Sequence, residues 1–227
     1  MSNKLQNSYK KSQDKTPIRT AAIVLRRTNY GESDRILNIL TPVGKFSVIA
    51  KGVRKPKSKL AGGIELFCLS DIVIQSGKGD LKILTSAKML KNYHRILADL
   101  EKFELASQIL KAVGRITEQV ASAEHFDLLK QSLEGIENNY NQQLIENWFK
   151  INFNKINGEE YNFYTDQNGQ KLQPDGHYTW DRTELIFHTD PNGNIGANEI
   201  KFARLMSTAS LAVSARVKNA TDFLFMI

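Results

Sequence analysis

Five stretches between residues 18 and 90 show the apolar–polar alternation, rich in Val, Ile and Leu, that is typical of β-strands. The turn-like segments YGES, PVG and SGKGD separate most of them, and a longer basic segment separates the third from the fourth. Closely spaced strands of this length predict an antiparallel Greek-key barrel, of which the OB-fold is the commonest five-stranded form. The stretches are IRTAAIVLRRTNY, DRILNILTP, KFSVIAK, IELFCLSDIVIQ and LKILTSAKML.

The pattern changes near His94, where apolar residues begin to recur every three or four positions, as on one face of an α-helix. This spacing predicts one long helix to about residue 120, with Leu97, Leu100 and Phe103 among its apolar positions. Two further helices are predicted in residues 125–136 and 142–156. Short polar connections between the helices favour antiparallel packing in a small bundle.

Helical spacing disappears in residues 158–196, where DQNGQ, QPDGHYTW and DPNGN surround short apolar runs, and this segment predicts an insertion of small hairpins. Helical spacing returns in residues 197–213, and the apolar end TDFLFMI is predicted to pack back onto the bundle. The fold class is therefore predicted to be α+β. Its parts are a disordered basic tail, 1–16, an OB-fold domain, 17–93, and a helical domain, 94–227, that includes the turn-rich insertion.

The charge of the chain is distributed unevenly. Residues 1–100 contain 19 Lys and Arg against 7 Asp and Glu, whereas the remaining 127 residues contain 12 against 17. Opposite signs in the two halves predict domains with different partners, the first facing nucleic acid or an anionic membrane surface. No stretch approaches 18 uninterrupted apolar residues, and the N-terminal region lacks the apolar core of a signal peptide, so we expect a cytoplasmic protein without a membrane partner.

The positive charge is concentrated around GKFSVIAKGVRKPKSKLAGG, residues 44–63. Most charge runs are simply solvated loops. Here, however, no Asp or Glu occurs from Arg35 to Ile64, and Pro56 with the flanking glycines restricts the backbone. Because such a block of cations repels itself, we expect an anionic ligand beside it.

Motifs for catalysis are missing from the sequence. GVRKPKSK and GKGD lack the spacing of a phosphate-binding P-loop, and no G-x-S-x-G nucleophile motif occurs. Ser33, between two carboxylates in YGESDR, is better explained as a hydrogen-bonding turn residue. Cys68 is the single cysteine and lies in the apolar run FCL, so it can form neither an intramolecular disulfide nor a four-cysteine zinc site.

Metal binding is also not predicted. His177 and His188 lie in the turn-rich insertion, where Asp175, Asp181 or Asp190 could add oxygen ligands. A stable structural zinc site has four ligands, usually with cysteine among them, and none is at hand. The DPNGN segment lacks the glycine and the final glutamate of a calcium loop. We therefore expect no cofactor and no metal.

The series AAIVLRRTNYGESDRILNILTPVGKFSVIAKGVRKPKSKLAGGIELFCLSDIVIQSGKGDL resembles the N-terminal domain of the RecO family of bacterial recombination mediators along its whole length. The barrel, the helical bundle and the turn-rich segment also follow the order expected of that family. The matching positions are Tyr30-Gly31-Glu32, Asp34-Arg35, Leu40-Thr41, Gly44-Lys45 and Ala50-Lys51-Gly52 through Ser58-Lys59 and Leu60.

The resemblance implies a non-enzymatic protein that binds single- and double-stranded DNA and anneals complementary strands. It also implies work with RecR and the single-stranded DNA-binding protein to load RecA. The resemblance is weaker beyond residue 95. Many RecO proteins carry a four-cysteine zinc module where this chain has residues 158–196, and the four ligands are missing here. In the family the acidic tail of the single-stranded DNA-binding protein docks on the helical part, but no motif of this sequence fixes that pocket.

Cations on one barrel face and its long loop would hold phosphates without regard to base sequence. Strand alternation in KFSVIAK directs Phe46 to the core and Lys45 and Lys51 to solvent. Tyr30 and Tyr93 are weaker candidates for base stacking, and only one of the adjacent Arg26 and Arg27 can share the face. The predicted DNA-binding residues are Lys51, Arg54, Lys55, Lys57 and Lys59, followed by Lys45 and Arg35.

Two other classes of function remain open from the sequence. The first is an OB-fold RNA-binding or translation-associated module, which would use the same cationic surface. The second is a metal-dependent nucleic-acid enzyme, for which Glu32 and Asp34 are the only nearby carboxylate pair. These two residues are better explained as turn and salt-bridge residues.

Overall fold

The computed structural model describes residues 16–77, 81–116 and 120–225. The tail predicted over residues 1–16 lies outside these ranges, apart from Thr16. The chain divides into two compact units, of which the first contains the chain through His94 together with Leu110–Lys130. The second contains Arg95–Ile109 and Gln131–Ile227. The first unit therefore includes residues that the sequence assigns to the helical domain.

The first unit is built on a closed barrel of five strands in the order β1-β2-β3-β5-β4. Neighbouring strands are antiparallel except β3 and β5, which run parallel. This arrangement confirms the predicted five-stranded OB-type barrel and the α+β fold class. The strands are β1 (Ile18–Tyr30), β2 (Asp34–Thr41), β3 (Gly44–Ala50), β4 (Cys68–Gln75) and β5 (Lys82–Asn92).

The barrel interior is filled by alternate residues of each strand, as the apolar–polar pattern requires. Phe46 packs against this core, which confirms its predicted inward direction. Two core residues, Val53 and Ile64, come from outside the strands. Each buried aliphatic side chain of this size contributes about 1.5–3 kcal/mol. The strand residues of the core are Ala22, Val24, Leu37, Ile39, Val48, Ala50, Ile72, Ile74 and Leu84.

The fourth strand begins later than its apolar pattern suggests. Residues 64–67 are buried in part but lie outside the ladder, and β4 starts at Cys68. Phe67 has a φ of 55°, a left-handed conformation that a strand cannot contain. Its carbonyl oxygen instead accepts a hydrogen bond from the Tyr93 backbone N–H at 3.1 Å. Because residues 64–67 are partly buried without pairing to another strand, the apolar pattern begins before β4 does.

Within the described residues six α-helices follow the barrel, and their bounds correct one prediction. The single long helix expected from residue 94 is wrong, because the chain breaks after Leu97 and Asp99 then caps the next helix by accepting from the N–H groups of Glu101 and Lys102. The helices are α1 (His94–Leu97), α2 (Leu100–Gly114), α3 (Ala123–Glu137), α4 (Gln142–Ile156), α5 (Ala197–Met206) and α6 (Leu211–Ser214).

The apolar positions around this break do not reach the core. Leu97 and Leu100 are 60% and 72% exposed, and Phe103 is 41% exposed. The buried face of α2 starts only at Leu105. Helical spacing alone placed all of these residues on one face, but it cannot show where the covering layer ends.

The second unit includes the turn-rich insertion. Its hairpin, β6 (Tyr178–Asp181) and β7 (Ile186–Thr189), confirms the hairpin prediction at this position. The C-terminal segment packs on the bundle as predicted, since Asn147 of α4 donates to the Phe225 carbonyl oxygen at 2.6 Å. No helix in the described part of the chain is long and apolar enough to cross a membrane.

The insertion is held by an aromatic cluster. Phe187, at its centre, is fully buried, and its ring centroid lies 4.8 Å from that of Trp180 and 5.9 Å from that of Phe225. Edge-to-face contacts of this kind add to the free energy of burial. The members of the aromatic cluster are Tyr161, Phe163, Tyr178, Trp180, Phe187 and Phe225.

Candidate nucleic-acid interface

Residues 51–60, which we call the cationic loop, connect β3 to a 3-10 turn at Ala61–Gly63. The loop is bonded to the turn between β1 and β2. The Gly52 N–H donates to the Asp34 carboxylate at 2.7 Å, and the Arg54 N–H donates to the Ser33 carbonyl oxygen at 2.8 Å. Backbone hydrogen bonds of this kind fix the path of the loop independently of its charged side chains.

Apolar contacts hold the cationic loop at both of its ends. Val53 inserts into the barrel core near the start, and Leu60 packs against the same core near the end. Gly63 then passes so close to β5 that an added Cβ would lie 2.6 Å from the backbone of Ala87. Only glycine allows this approach, because real Cβ atoms do not come so near to a backbone atom. The loop is therefore an ordered part of the barrel.

Anchoring at these points leaves the charged side chains on the surface. The guanidinium of Arg54 donates to the Gly31 carbonyl oxygen at 3.3 Å, which directs the side chain along the β1–β2 turn. None of the loop cations forms an ion pair with another described residue. An ordered group of unpaired cations is what phosphate binding requires. The exposed cations are Lys51, Arg54, Lys55, Lys57 and Lys59.

Two other arginines of the barrel are paired with carboxylates. Arg19 makes a bidentate contact with Asp71, with a shortest distance of 2.7 Å. Hydrogen bonds from Arg19 hold the pKa of the Asp71 carboxyl below its ordinary value. Arg27 is ion-paired with Glu65, whereas the adjacent Arg26 is exposed at an irregularity in β1. Of the two adjacent arginines, Arg26 is thus the one that faces solvent without a carboxylate.

Arg35 and Lys45, the remaining predicted contacts, lie in different surroundings. Arg35 pairs with Ala50 across β2 and β3, next to the start of the cationic loop, and its Nε donates to the Asn29 side chain at 3.2 Å. Lys45 donates instead to the carbonyl oxygens of Gly114 and Ile116, at 2.8 and 2.7 Å. The cationic loop and Arg35 share one region of the barrel, and Lys45 has a different neighbour.

The position of Lys45 follows from the strand register. Ile23, Leu40 and Lys45 lie side by side on β1, β2 and β3, on the outer face of the barrel, and the first two are fully buried. This row is therefore covered, and the Lys45 ammonium donates to the carbonyl oxygen of the last residue of α2, Gly114, and to that of Ile116 just beyond it. The prediction that Lys45 faces open solvent is wrong. A substitution of Lys45 tests whether this residue also contacts DNA.

Lys45→Met separates these two roles. We expect the free energy of unfolding to fall by about 1–3 kcal/mol, because two carbonyl oxygens lose a charged donor. We expect no change in the salt dependence of DNA binding. Lys51→Met, in the cationic loop just beyond the other end of this strand, should show the reverse. Urea denaturation and DNA titrations over a salt series measure both effects, and a flattened slope with unchanged stability in Lys45→Met would place this ammonium on DNA.

The stacking candidates also differ in their surroundings. Tyr93 is fully buried, so it is unsuitable as a stacking surface, and this prediction is wrong. Tyr30 is exposed at the end of β1. The burial of Tyr93 depends on its position after β5 and has no signal in the local sequence. The anchors Asp34, Val53 and Gly63 were likewise missed as positioning residues, although the glycine pair at 62 and 63 is a visible turn signal.

The β6–β7 hairpin brings three potential metal ligands together. Ligand atoms of Asp181, Glu184 and His188 lie within 4.8 Å of one another. The backbone N–H groups of Glu184 and Thr183 bind the Asp181 carboxylate and lower its pKa. His177, the other predicted candidate, is outside this group. A structural zinc site has four ligands, and the group provides three that are not fully buried.

We therefore still expect the purified protein to contain no stoichiometric zinc. Elemental analysis after washing with a chelator measures this directly. His188→Ala should leave both the metal content and the thermal midpoint unchanged, because the aromatic cluster holds the insertion without metal. One zinc per chain, lost together with stability in His188→Ala, would contradict the prediction.

Comparison with known proteins supports the family resemblance found in the sequence of the barrel. The family model described as "Recombination protein O N terminal" matches residues 16–93, the whole barrel. A DNA repair protein RecO from Dehalococcoides mccartyi strain CBDB1 is 30% identical over 214 residues, which cover 91% of this chain and 84% of that relative. The chain belongs to the RecO family. Because 91% of this chain aligns with that relative, the similarity extends beyond the barrel into the helices and the insertion.

Other relatives align over a shorter region. DNA repair protein RecO from another D. mccartyi strain is 34% identical over 142 residues, covering 62% of this chain and 56% of the relative. The protein of the same name from Roseiflexus sp. strain RS-1 is 38% identical over 119 residues, covering 52% and 42%. The matched region thus spans about half the length of these two RecO relatives.

Proposed function

We propose that this RecO family member acts in DNA repair and recombination. It binds single- and double-stranded DNA, anneals complementary strands and helps to load RecA onto DNA coated by the single-stranded DNA-binding protein. The observation that carries the proposal is the cationic loop, an ordered group of five exposed cations on an OB-type barrel. The relatives named DNA repair protein RecO support the assignment to repair.

The mechanism rests on charge neutralisation. Two DNA strands repel each other through their phosphates, and each cation that contacts a phosphate releases a condensed counterion. A strand held along the cationic loop therefore meets its complement with less repulsion. Base pairing between the strands then provides the specificity, so the protein needs no contacts that read the bases.

The proposed role is not enzymatic. Annealing and RecA loading rearrange non-covalent contacts, and no covalent bond is formed or broken. We place this work in the cytoplasm, with RecR and the single-stranded DNA-binding protein as partners. Affinity capture of both partners by the tagged full chain tests this part of the proposal. The chain used keeps all five loop cations, Lys51, Arg54, Lys55, Lys57 and Lys59.

Annealing of two complementary DNA strands, each coated with the single-stranded DNA-binding protein, tests the central activity. We expect the chain to accelerate duplex formation for any base sequence, and to lose this effect as the salt concentration rises. Complementary RNA strands provide the comparison for a translation-associated module. Acceleration confined to RNA, or no acceleration of either nucleic acid at low salt, would contradict the proposal.

A further inference from the structure

Tyr30 is placed at the junction that holds the cationic loop. It is the last residue of β1, and it pairs in register with Asp34, whose carboxylate binds the Gly52 N–H. The next residue, Gly31, has a φ of 56°, and its carbonyl oxygen accepts a hydrogen bond from the Arg54 guanidinium. Hydrogen bonds of the two neighbours of Tyr30, Gly31 in sequence and Asp34 across the strands, therefore join this end of β1 to the cationic loop.

The ring of Tyr30 has no partner within the described part of the chain. The side chain is 54% exposed and makes no aromatic, cation–π or hydrogen-bond contact with another described residue. Tyr164, which is 57% exposed in the second unit, differs because Arg204 lies over its ring at 4.7 Å from the centroid. Tyr30 thus presents an exposed aromatic ring next in sequence to the glycine that binds Arg54.

A ring in this setting suits one class of ligand. Aromatic side chains next to a cationic groove bind single-stranded nucleic acid, because every base offers a π-face for stacking. In a duplex the bases are already stacked and paired, so the ring gains nothing there. Phosphate contacts alone would bind both forms and would not favour the single strand, because the duplex has the higher charge density.

We propose that Tyr30 stacks on an unpaired base of single-stranded DNA and gives this surface its preference for single strands over duplex. The inference rests on the proposed function, since the loop cations must hold the strand beside the ring. It assigns a specificity role to a residue outside the cationic loop. The phosphate contacts provide affinity for both forms, and Tyr30 distinguishes between them.

Binding of oligothymidine and of a duplex of equal length tests this role. We expect Tyr30→Ala to weaken oligothymidine binding about tenfold, within the range measured for loss of one stacked base, and to change duplex binding by less than about twofold. Tyr30→Phe should bind as the parent protein does, because the ring remains. Tyr164→Ala, with similar exposure in the other unit, is the matched control and should change neither affinity.

A spectroscopic measurement tests the contact itself. Tyr30→Trp should show quenching of its added indole fluorescence by oligothymidine but not by duplex, and Tyr164→Trp should show none. A parent protein that binds no oligothymidine would overturn both this inference and the proposed function. The stacking role alone would be overturned by three results together. The parent protein binds oligothymidine, Tyr30→Ala binds it with the same affinity as the parent, and the fluorescence of Tyr30→Trp is not quenched. Equal loss for both nucleic acids, with an intact melting transition, would also overturn it.

Discussion

Removing four charges from the cationic loop is expected to flatten the salt dependence of single-stranded DNA binding by roughly 2 to 3 in log–log slope, because each engaged cation contributes about 0.7. The loop should keep its shape, because backbone groups and buried anchors hold it. Strand annealing should slow in parallel. The fourfold variant replaces Arg54, Lys55, Lys57 and Lys59 with alanine.

A second fourfold variant provides the matched control. It removes one arginine and three lysines that are also exposed, but that belong to the second unit. The net charge changes equally in both variants, so a difference between them reports the location of the phosphates and not the overall field of the protein. An unaltered slope in the loop variant, or an equal decrease in both, would place DNA elsewhere. The control replaces Lys171, Lys201, Arg216 and Lys218 with alanine.

Phe187→Ala is expected to lower the free energy of unfolding of the second unit by about 3–5 kcal/mol, as for other buried aromatic residues replaced by alanine. Phe187 is fully buried and contacts four other rings, those of Phe163, Tyr178, Trp180 and Phe225. The large cavity cannot close without moving these rings. Urea denaturation followed by tryptophan fluorescence measures the loss, because Trp180 lies in the cluster.

The expected effect of Phe187→Ala is confined to stability. The salt slope of DNA binding should remain that of the parent protein, because the cationic loop belongs to the first unit. Tyr164→Ala removes an exposed aromatic ring of the insertion and its contact with Arg204, and should lower the free energy of unfolding by no more than about 1 kcal/mol. A loss below about 1 kcal/mol in Phe187→Ala would show that the aromatic cluster does not hold the insertion.

The barrel could be predicted from the sequence because its residues alternate between interior and surface. The strand pattern directed Phe46 inward, and the structure agrees. The same rule failed for Lys45, because alternation determines the face of the sheet but not what covers that face. The prediction that Tyr93 is a stacking surface failed for a similar reason, because the strand pattern does not show that the residue is buried. Local spacing contains no information about a layer that arrives from residues more than sixty positions away, such as the end of α2 beside Lys45.

The cationic loop could be located from the sequence, but the cause of its order could not. Pro56 and the flanking glycines suggested a restricted segment. Pro56 is exposed, and the restraint comes from Gly63 together with Asp34, Ser33 and Val53. A single valine outside a strand has no periodic neighbours that would mark it as core. A carboxylate bonded to a distant backbone N–H leaves no trace in local spacing.

The way in which the cationic loop is held has an evolutionary consequence. Its path is encoded by Asp34, Val53 and Gly63, whereas most of its charge comes from four lysines whose side chains make no hydrogen bond or ion pair with a described residue. Single lysine substitutions can therefore change the positive charge of the loop without destabilising the barrel. If the proposed function is correct, descendants of this gene can differ widely in DNA affinity while all of them fold equally well.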